Sequence, residues 1–200
     1  MSLVVVFGGA FNPPTIAHYR IARDVIRRFD VSKFLFVPVG DQYPKAGLVA
    51  AKHRVRMLEL VCDDLDLDAP EVACVSSVEV SSDRVMSTFE TLTQLQNEYP
   101  GCELAFVMGA DNLSDLTEWH RYLELISNFR VIVLSRDGVD VRDQIASDFE
   151  AYVSRFLVMD GGEIAASVSS SRYRAELECE ELVLRKVSDY VRANRLYGRG

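Results

Sequence analysis

The chain has 200 residues, 48% hydrophobic and 26% charged, which suits one folded domain with a sizeable core. Its formal net charge of −8 argues against nonspecific binding to nucleic acid or to an anionic membrane surface. The four cysteines (Cys62, Cys74, Cys102, Cys179) are scattered, form no C-x-x-C pair and share no metal-ligand spacing with the three histidines, so reduced, mostly buried thiols are expected and a protein-held metal is not.

A strand-like run starts at Leu3, where a leader would otherwise lie, and no stretch approaches the ~20 apolar residues of a membrane span, so a cytoplasmic protein is expected. The run from Leu3 to Phe7 has the β-branching of a strand buried on both faces. It stops at Gly8 and Gly9, which admit positive φ and let backbone amides approach a ligand. Ala10-Phe11-Asn12-Pro13-Pro14 follows, a turn whose prolines forbid helix. Thr15-Ile16-Ala17-His18 then opens an amphipathic helix to about Phe29, with Ile21, Ala22, Val25 and Ile26 on one face and Arg20, Arg23, Arg27 and Arg28 on the other. A strand, a Gly-rich turn and a helix start make an anion site, because orphan N–H groups and the helix dipole point the same way. An imidazole at that start, His18, is unfavourable against the dipole unless an anion offsets it. The G-x-G-x-x-G spacing of a dinucleotide fingerprint is missing, which disfavours a dehydrogenase.

A second strand is expected over 33–38, and strand–helix–strand in this length is a parallel βαβ unit. The loop 39–50 leaves its carboxyl end and carries Tyr43 and Lys45, both candidates to reach a ligand. A helix over 51–62 bears His53, Arg54 and Arg56, and the acidic stretch 63–68 reads as a solvated connector without the glycine of a calcium loop. A strand or strand pair is expected over 72–80, a helix containing Thr88 over 87–98, and a buried strand over 103–108. That strand runs into Gly109-Ala110-Asp111-Asn112, a second strand-to-helix turn. Helix in two pieces over 113–126, jointed at Trp119-His120, leads to a strand over 130–134 that ends at Ser135-Arg136. A helix over 140–152, a short strand over 156–159 and a long turn from Gly161 precede Ser169-Ser170-Ser171-Arg172-Tyr173-Arg174, where a short helix is expected to start. The last helix spans about 183–194. Strand and helix alternate throughout with no repeat or linker. The expected fold is α/β: one domain over 1–200, a doubly wound, mostly parallel sheet with helices on both faces.

Three turns are thus expected at one sheet edge. The first offers amides, Thr15 and His18; the second offers Asp111; the third offers a triple serine backed by Arg172 and Arg174, which suit phosphate oxygens. No P-loop lysine motif and no Ser-His-Asp order is present. Phosphoryl or nucleotidyl transfer needs no enzyme nucleophile, since positioning and charge stabilisation suffice.

Gly8-Gly9-Ala10-Phe11-Asn12-Pro13-Pro14-Thr15-Ile16-Ala17-His18 resembles the T/H-x-G-H motif of the α/β nucleotidyltransferases, and Val168 to Arg174 resembles their I-S-S-T-x-x-R motif. Gly109 to Leu113, with Trp119-His120-Arg121-Tyr122 and Leu125, is similar to the nicotinate-holding segment of nicotinate mononucleotide adenylyltransferases, and the closing stretch Val187 to Tyr197 is similar to that family's C-terminus. Ala17 stands where the motif has glycine, and Tyr43-Pro44-Lys45 stands near a family Pro-Pro-His-Lys. The resemblance implies a Rossmann-like nucleotidyltransferase fold that joins ATP to nicotinate mononucleotide, with Mg²⁺ carried by ATP and few or no protein ligands to the ion. It implies catalytic roles for His18, Thr15, Lys45 and Arg174. Gly8, Gly9, Ala10, Phe11, Gly109, Asp111, Ser169, Ser170 and Ser171 would bind the nucleotide, and Asn12, Lys45, Thr88, Trp119 and Arg136 the acceptor. Other acceptors (nicotinamide mononucleotide, phosphopantetheine) and a non-catalytic nucleotide-binding protein stay open, as does a homo-oligomer.

Overall fold

The computed structural model describes residues 2–67, 69–135, 141–160, 168–176 and 179–199. Six parallel strands form one sheet: β1 (Leu3–Gly9), β2 (Val31–Pro38), β3 (Ala73–Val75), β4 (Glu103–Gly109), β5 (Arg130–Ser135) and β6 (Phe156–Asp160), in spatial order β3-β2-β1-β4-β5-β6. The chain builds outward from β1 in one direction, returns, and builds outward from β4 in the other. The crevice beyond β1 and β4 is therefore the topological switch point, where open α/β sheets bind ligands.

Alternation along each strand feeds two cores. Val5, Phe34, Phe36 and Ala105 face α1 (Ile16–Arg28) and α2 (Ala51–Leu65). Val4, Val6, Leu35, Val37 and Phe106 face α3 (Thr88–Glu98) and α4 (Tyr122–Asn128), with α5 (Arg142–Asp148) on the same side. Two further α-helices are found among the described residues, α6 (Ser170–Ala175) and α7 (Arg185–Ala193). Ser87 caps α3 in a capping box with Glu90, whose carboxyl pKa is lowered to about 2 by hydrogen bonds from Arg84 first and from Ser87 second.

The differences from the expected elements have local causes. Gly8 and Gly9 extend β1 rather than leaving it: they pair with Val37 and Pro38, and Phe11 takes the left-handed conformation instead, at φ 45°. Helix α2 runs on through Asp63 and Asp64, where a connector was expected, because Val61, Cys62 and Leu65 keep its inner face apolar. The strand expected over 72–80 shortens to Ala73–Val75, and 76–80 folds into turns that carry Glu79. Of the two-piece helix expected over 113–126, the first piece is a single 3₁₀ turn, Leu116–Glu118, preceded by another at Ala110–Asn112. The helix expected over 140–152 ends at Asp148 and continues as 3₁₀ to Arg155.

Arg54 is fully buried at the start of α2, at helical spacing with Met57, Leu58 and Val61. It donates to the carbonyls of Ala10, Val39 and Val49 and to the Asp41 carboxylate, whose Oδ1 also accepts from the first amide of α2. One guanidinium thereby ties the turn after β1 to both ends of the loop after β2. Arg54→Met keeps much of the volume but strips the donor from three carbonyls; we predict a loss of about 3 kcal/mol in chemical denaturation.

Candidate active site

A cleft of about 450 Å³ opens at the switch point. Gly8 and Gly9 floor it beside Ala17 and His18 of α1; Gly109, Asp111 and Trp119 line it after β4; Thr88 and Thr91 of α3 and Glu79 line it beyond β2, and Val168 leads into it just before α6. The added Cβ of a residue at Gly9 would stand 3.2 Å from the Phe11 ring, so the strand end stays bare where a ligand must approach.

His18 is held from behind. It is the third residue of α1, and its Nδ1 accepts from the Thr15 amide at 2.9 Å, with the Thr15 hydroxyl 2.8 Å from the same nitrogen. This is a capping box in which imidazole replaces the usual carboxylate. An Nδ1 that accepts has no proton, so the proton sits on Nε2. Phe11 packs edge-on against the ring at 5.0 Å, and Phe7 lies tilted to it at 5.8 Å. Burial, and secondarily the Lys45 ammonium, lower its pKa from 6.5 to about 4. The imidazole at the helix start therefore meets the dipole as a neutral donor, not as the cation that an anion would have to offset.

The last motif is fastened to the first. Ser170 Oγ donates to the Pro13 carbonyl at 2.8 Å, and Arg174 donates to the Asn12 carbonyl at 2.7 Å. Ser169 caps α6 by accepting from the Arg172 amide, and Ser171 Oγ accepts from the other Arg174 nitrogen at 3.3 Å. The Asn12 side chain, 1% exposed, donates to the Gly47 carbonyl, and its Oδ1 accepts from the Val49 amide and the Tyr197 hydroxyl.

The expected site residues thus fall into groups. Gly8, Gly9, Gly109, Asp111, Thr88, Trp119 and His18 share the cleft. Ala10 lies on the turn and gives its carbonyl to Arg54. Ser170 and Arg174 are bonded to the turn, Ser169 and Ser171 make their side-chain bonds within α6, and these four stand outside the lining of the cleft itself. Three side chains face inward instead: Phe11 is a core aromatic, Asn12 a buried hub, and Thr15, 1% exposed, turns its hydroxyl to His18 rather than to a ligand. Lys45 is exposed on its loop and close enough to act on His18 electrostatically. Arg136 lies outside the described residues. Trp119 is half-buried, edge-on to Phe106 with centroids 6.0 Å apart. Sequence reasoning missed Glu79 and the clamp of Arg54; the latter had a signal, an arginine on the apolar stripe of α2.

Amides, a neutral imidazole donor and a guanidinium around a bare sheet edge at the switch point define a nucleotide-handling α/β protein. The cytidylyltransferase-like family model matches residues 6–176. A probable nicotinate-nucleotide adenylyltransferase of Carboxydothermus hydrogenoformans is 33% identical over 198 residues, covering 96% of each chain. The nicotinate-nucleotide adenylyltransferase of Bacillus subtilis is 27% identical over 199 residues, covering 98% of this chain and 99% of its own. Among solved structures, the nicotinic acid mononucleotide adenylyltransferase of Plasmodium falciparum complexed with NaAD shares the fold, with a TM-score of 0.84 at 18% identity, covering 100% of this chain and 99% of that one. The chain belongs to the cytidylyltransferase-like nucleotidyltransferases and, within them, to the nicotinate-nucleotide adenylyltransferase family.

The lowered pKa of His18 has a consequence for stability. Between about pH 4 and 6.5 an unfolded chain protonates this residue while the folded one does not, so protons favour unfolding there. His18 therefore subtracts stability as pH falls through that window and contributes nothing above it. An NMR titration is expected to place its midpoint near 4, and Lys45→Gln to move it upward by removing the lesser of the two causes.

Proposed function

We propose that the cleft joins ATP and nicotinate mononucleotide into deamido-NAD with release of pyrophosphate. An oxygen of the acceptor's 5′-phosphate attacks the α-phosphorus of ATP as the bond from that phosphorus to the bridging oxygen breaks, and the electron pair leaves with pyrophosphate. The observation that carries this reading is the direct fastening of α6 to the turn after β1, through Ser170 on Pro13 and Arg174 on Asn12. That contact between α6 and the turn after β1 supports a single site for the triphosphate.

The roles follow from the donors. His18, neutral at physiological pH, donates its Nε2–H to the α-phosphate as the charge there grows. The amides of Ser170 and Ser171 and the guanidinium of Arg174 hold the β- and γ-phosphates. Thr15 is a positioning residue that sets the tautomer of His18. Lys45, on the loop clamped by Arg54 and Asn12, adds charge over the phosphates. Trp119 stacks on the pyridine ring, and Thr88, at the first position of α3, meets the same half of the ligand.

Magnesium accompanies ATP: among the described residues no three His, Cys, Asp or Glu side chains cluster as a protein-held ion needs, and this donor set fits an ion bound by phosphate oxygens and water. When bound it neutralises triphosphate charge. Among the described residues no helix is long and apolar enough to cross a membrane; we place the enzyme in the cytoplasm, acting on small nucleotides and not on nucleic acid.

His18→Ala should lower turnover by roughly 10²–10³, as the loss of one transition-state donor does elsewhere, while circular dichroism and melting stay those of a folded chain. Nicotinate mononucleotide should be preferred over nicotinamide mononucleotide and phosphopantetheine in pyrophosphate release with ATP. Equal rates on all three, or ATP binding without any pyrophosphate, would refute the assignment.

A further inference from the structure

Glu79 is an anomaly in a cleft that takes up anions. It lines that cleft among Val37, Val39, Met86 and Leu92, and burial raises its carboxyl above the ordinary range. Its position is well defined. Thr91, 3% exposed, donates to Oε1 at 2.7 Å. The Glu79 carbonyl accepts from the Ser82 amide, and Gly40 packs so close that an added Cβ would stand 2.7 Å from that carbonyl. Its second carboxylate oxygen receives no hydrogen bond from a described residue. A poorly solvated carboxylate held in a ligand cleft calls for donors from the ligand.

Which donors is settled by chemistry, given the reaction proposed above, on which this inference rests. Phosphates and the nicotinate carboxylate are anions and would be repelled by Glu79. The ribose hydroxyls of the acceptor are neutral donors, set between those two charges. ATP also carries a ribose, but its triphosphate lies toward α6 and the turn after β1. Glu79 instead stands on the far wall, between the loop after β2 and α3. We propose that Glu79 is the ribose subsite of the acceptor, its second carboxylate oxygen accepting from the 2′- and 3′-hydroxyls of nicotinate mononucleotide. A carboxylate against a ribose diol is the device that dinucleotide folds use for the same group.

Steady-state kinetics on the full chain test this from both sides. Glu79→Gln keeps an oxygen to accept from Thr91, so a merely structural carboxyl is largely replaced. We expect it to raise KM for nicotinate mononucleotide about 10–100-fold, the loss of a hydrogen bond to a charged group, with KM for ATP unchanged. The 2′,3′-dideoxy acceptor should show a similar loss on the unaltered enzyme, a measurement that needs no variant to fold. It should lose little more on Glu79→Gln, because the two changes remove the same contact. Unchanged acceptor KM in Glu79→Gln, full additivity of the two losses, or a dideoxy acceptor used as well as the natural one overturns the subsite while leaving the reaction standing. Loss confined to nicotinamide mononucleotide overturns it in favour of an amide contact. No turnover of nicotinate mononucleotide by the unaltered enzyme refutes the reaction and the subsite together.

Discussion

Two carbonyl groups organise this molecule. The turn after β1 contains consecutive prolines, which have no N–H, and its backbone leaves the sheet before it can pair with another strand. The carbonyls of Asn12 and Pro13 are met instead by Arg174 and Ser170, 162 and 157 residues away along the chain. Satisfying those two acceptors brings the end of the chain onto its beginning. Tyr197 adds a third tie by donating to the Asn12 side chain, and its hydroxyl is kept protonated by burial. The cradle is therefore a consequence of backbone bookkeeping at one turn. Behind the ties, Tyr173 anchors α6 in the core, fully buried against Tyr197 and under the Arg199 guanidinium.

The same economy governs charge. A chain of net charge −8 must attract a triphosphate, yet its most placed donor is neutral. A cationic histidine at the third position of a helix would oppose the dipole and cost desolvation. A neutral one, locked with its proton on the outer nitrogen, costs neither and still offers an N–H. The positive charges assigned to the phosphates, Lys45 and Arg174, are exposed or half-buried, whereas the fully buried Arg54 is taken up by carbonyls and Asp41.

Much of this was legible in the residues. Alternation of β-branched runs with amphipathic segments defines a parallel α/β sheet, and glycine and serine clusters at strand ends mark the rim. What stayed hidden depends on direction. Spacing cannot say that Phe11, Asn12 and Thr15 point inward, because a turn has no period to read and Phe11 adopts a left-handed backbone that its type does not advertise. Gly8 and Gly9 look like strand breakers but serve as bare strand. Arg54 could have been found, since it interrupts an apolar stripe at i, i+3, i+4 and i+7. Glu79 could not: only the packing of α3 against the loop after β2 turns it into the cleft.

The central claim is that the turn after β1 and the start of α6 form one triphosphate site. A crystal structure with a non-hydrolysable ATP analogue tests it most directly. The account predicts one triphosphate within hydrogen-bond distance of both His18 Nε2 and the amides or guanidinium of Ser170, Ser171 and Arg174. A triphosphate touching only one of these groups, or seated away from the cleft, would contradict it.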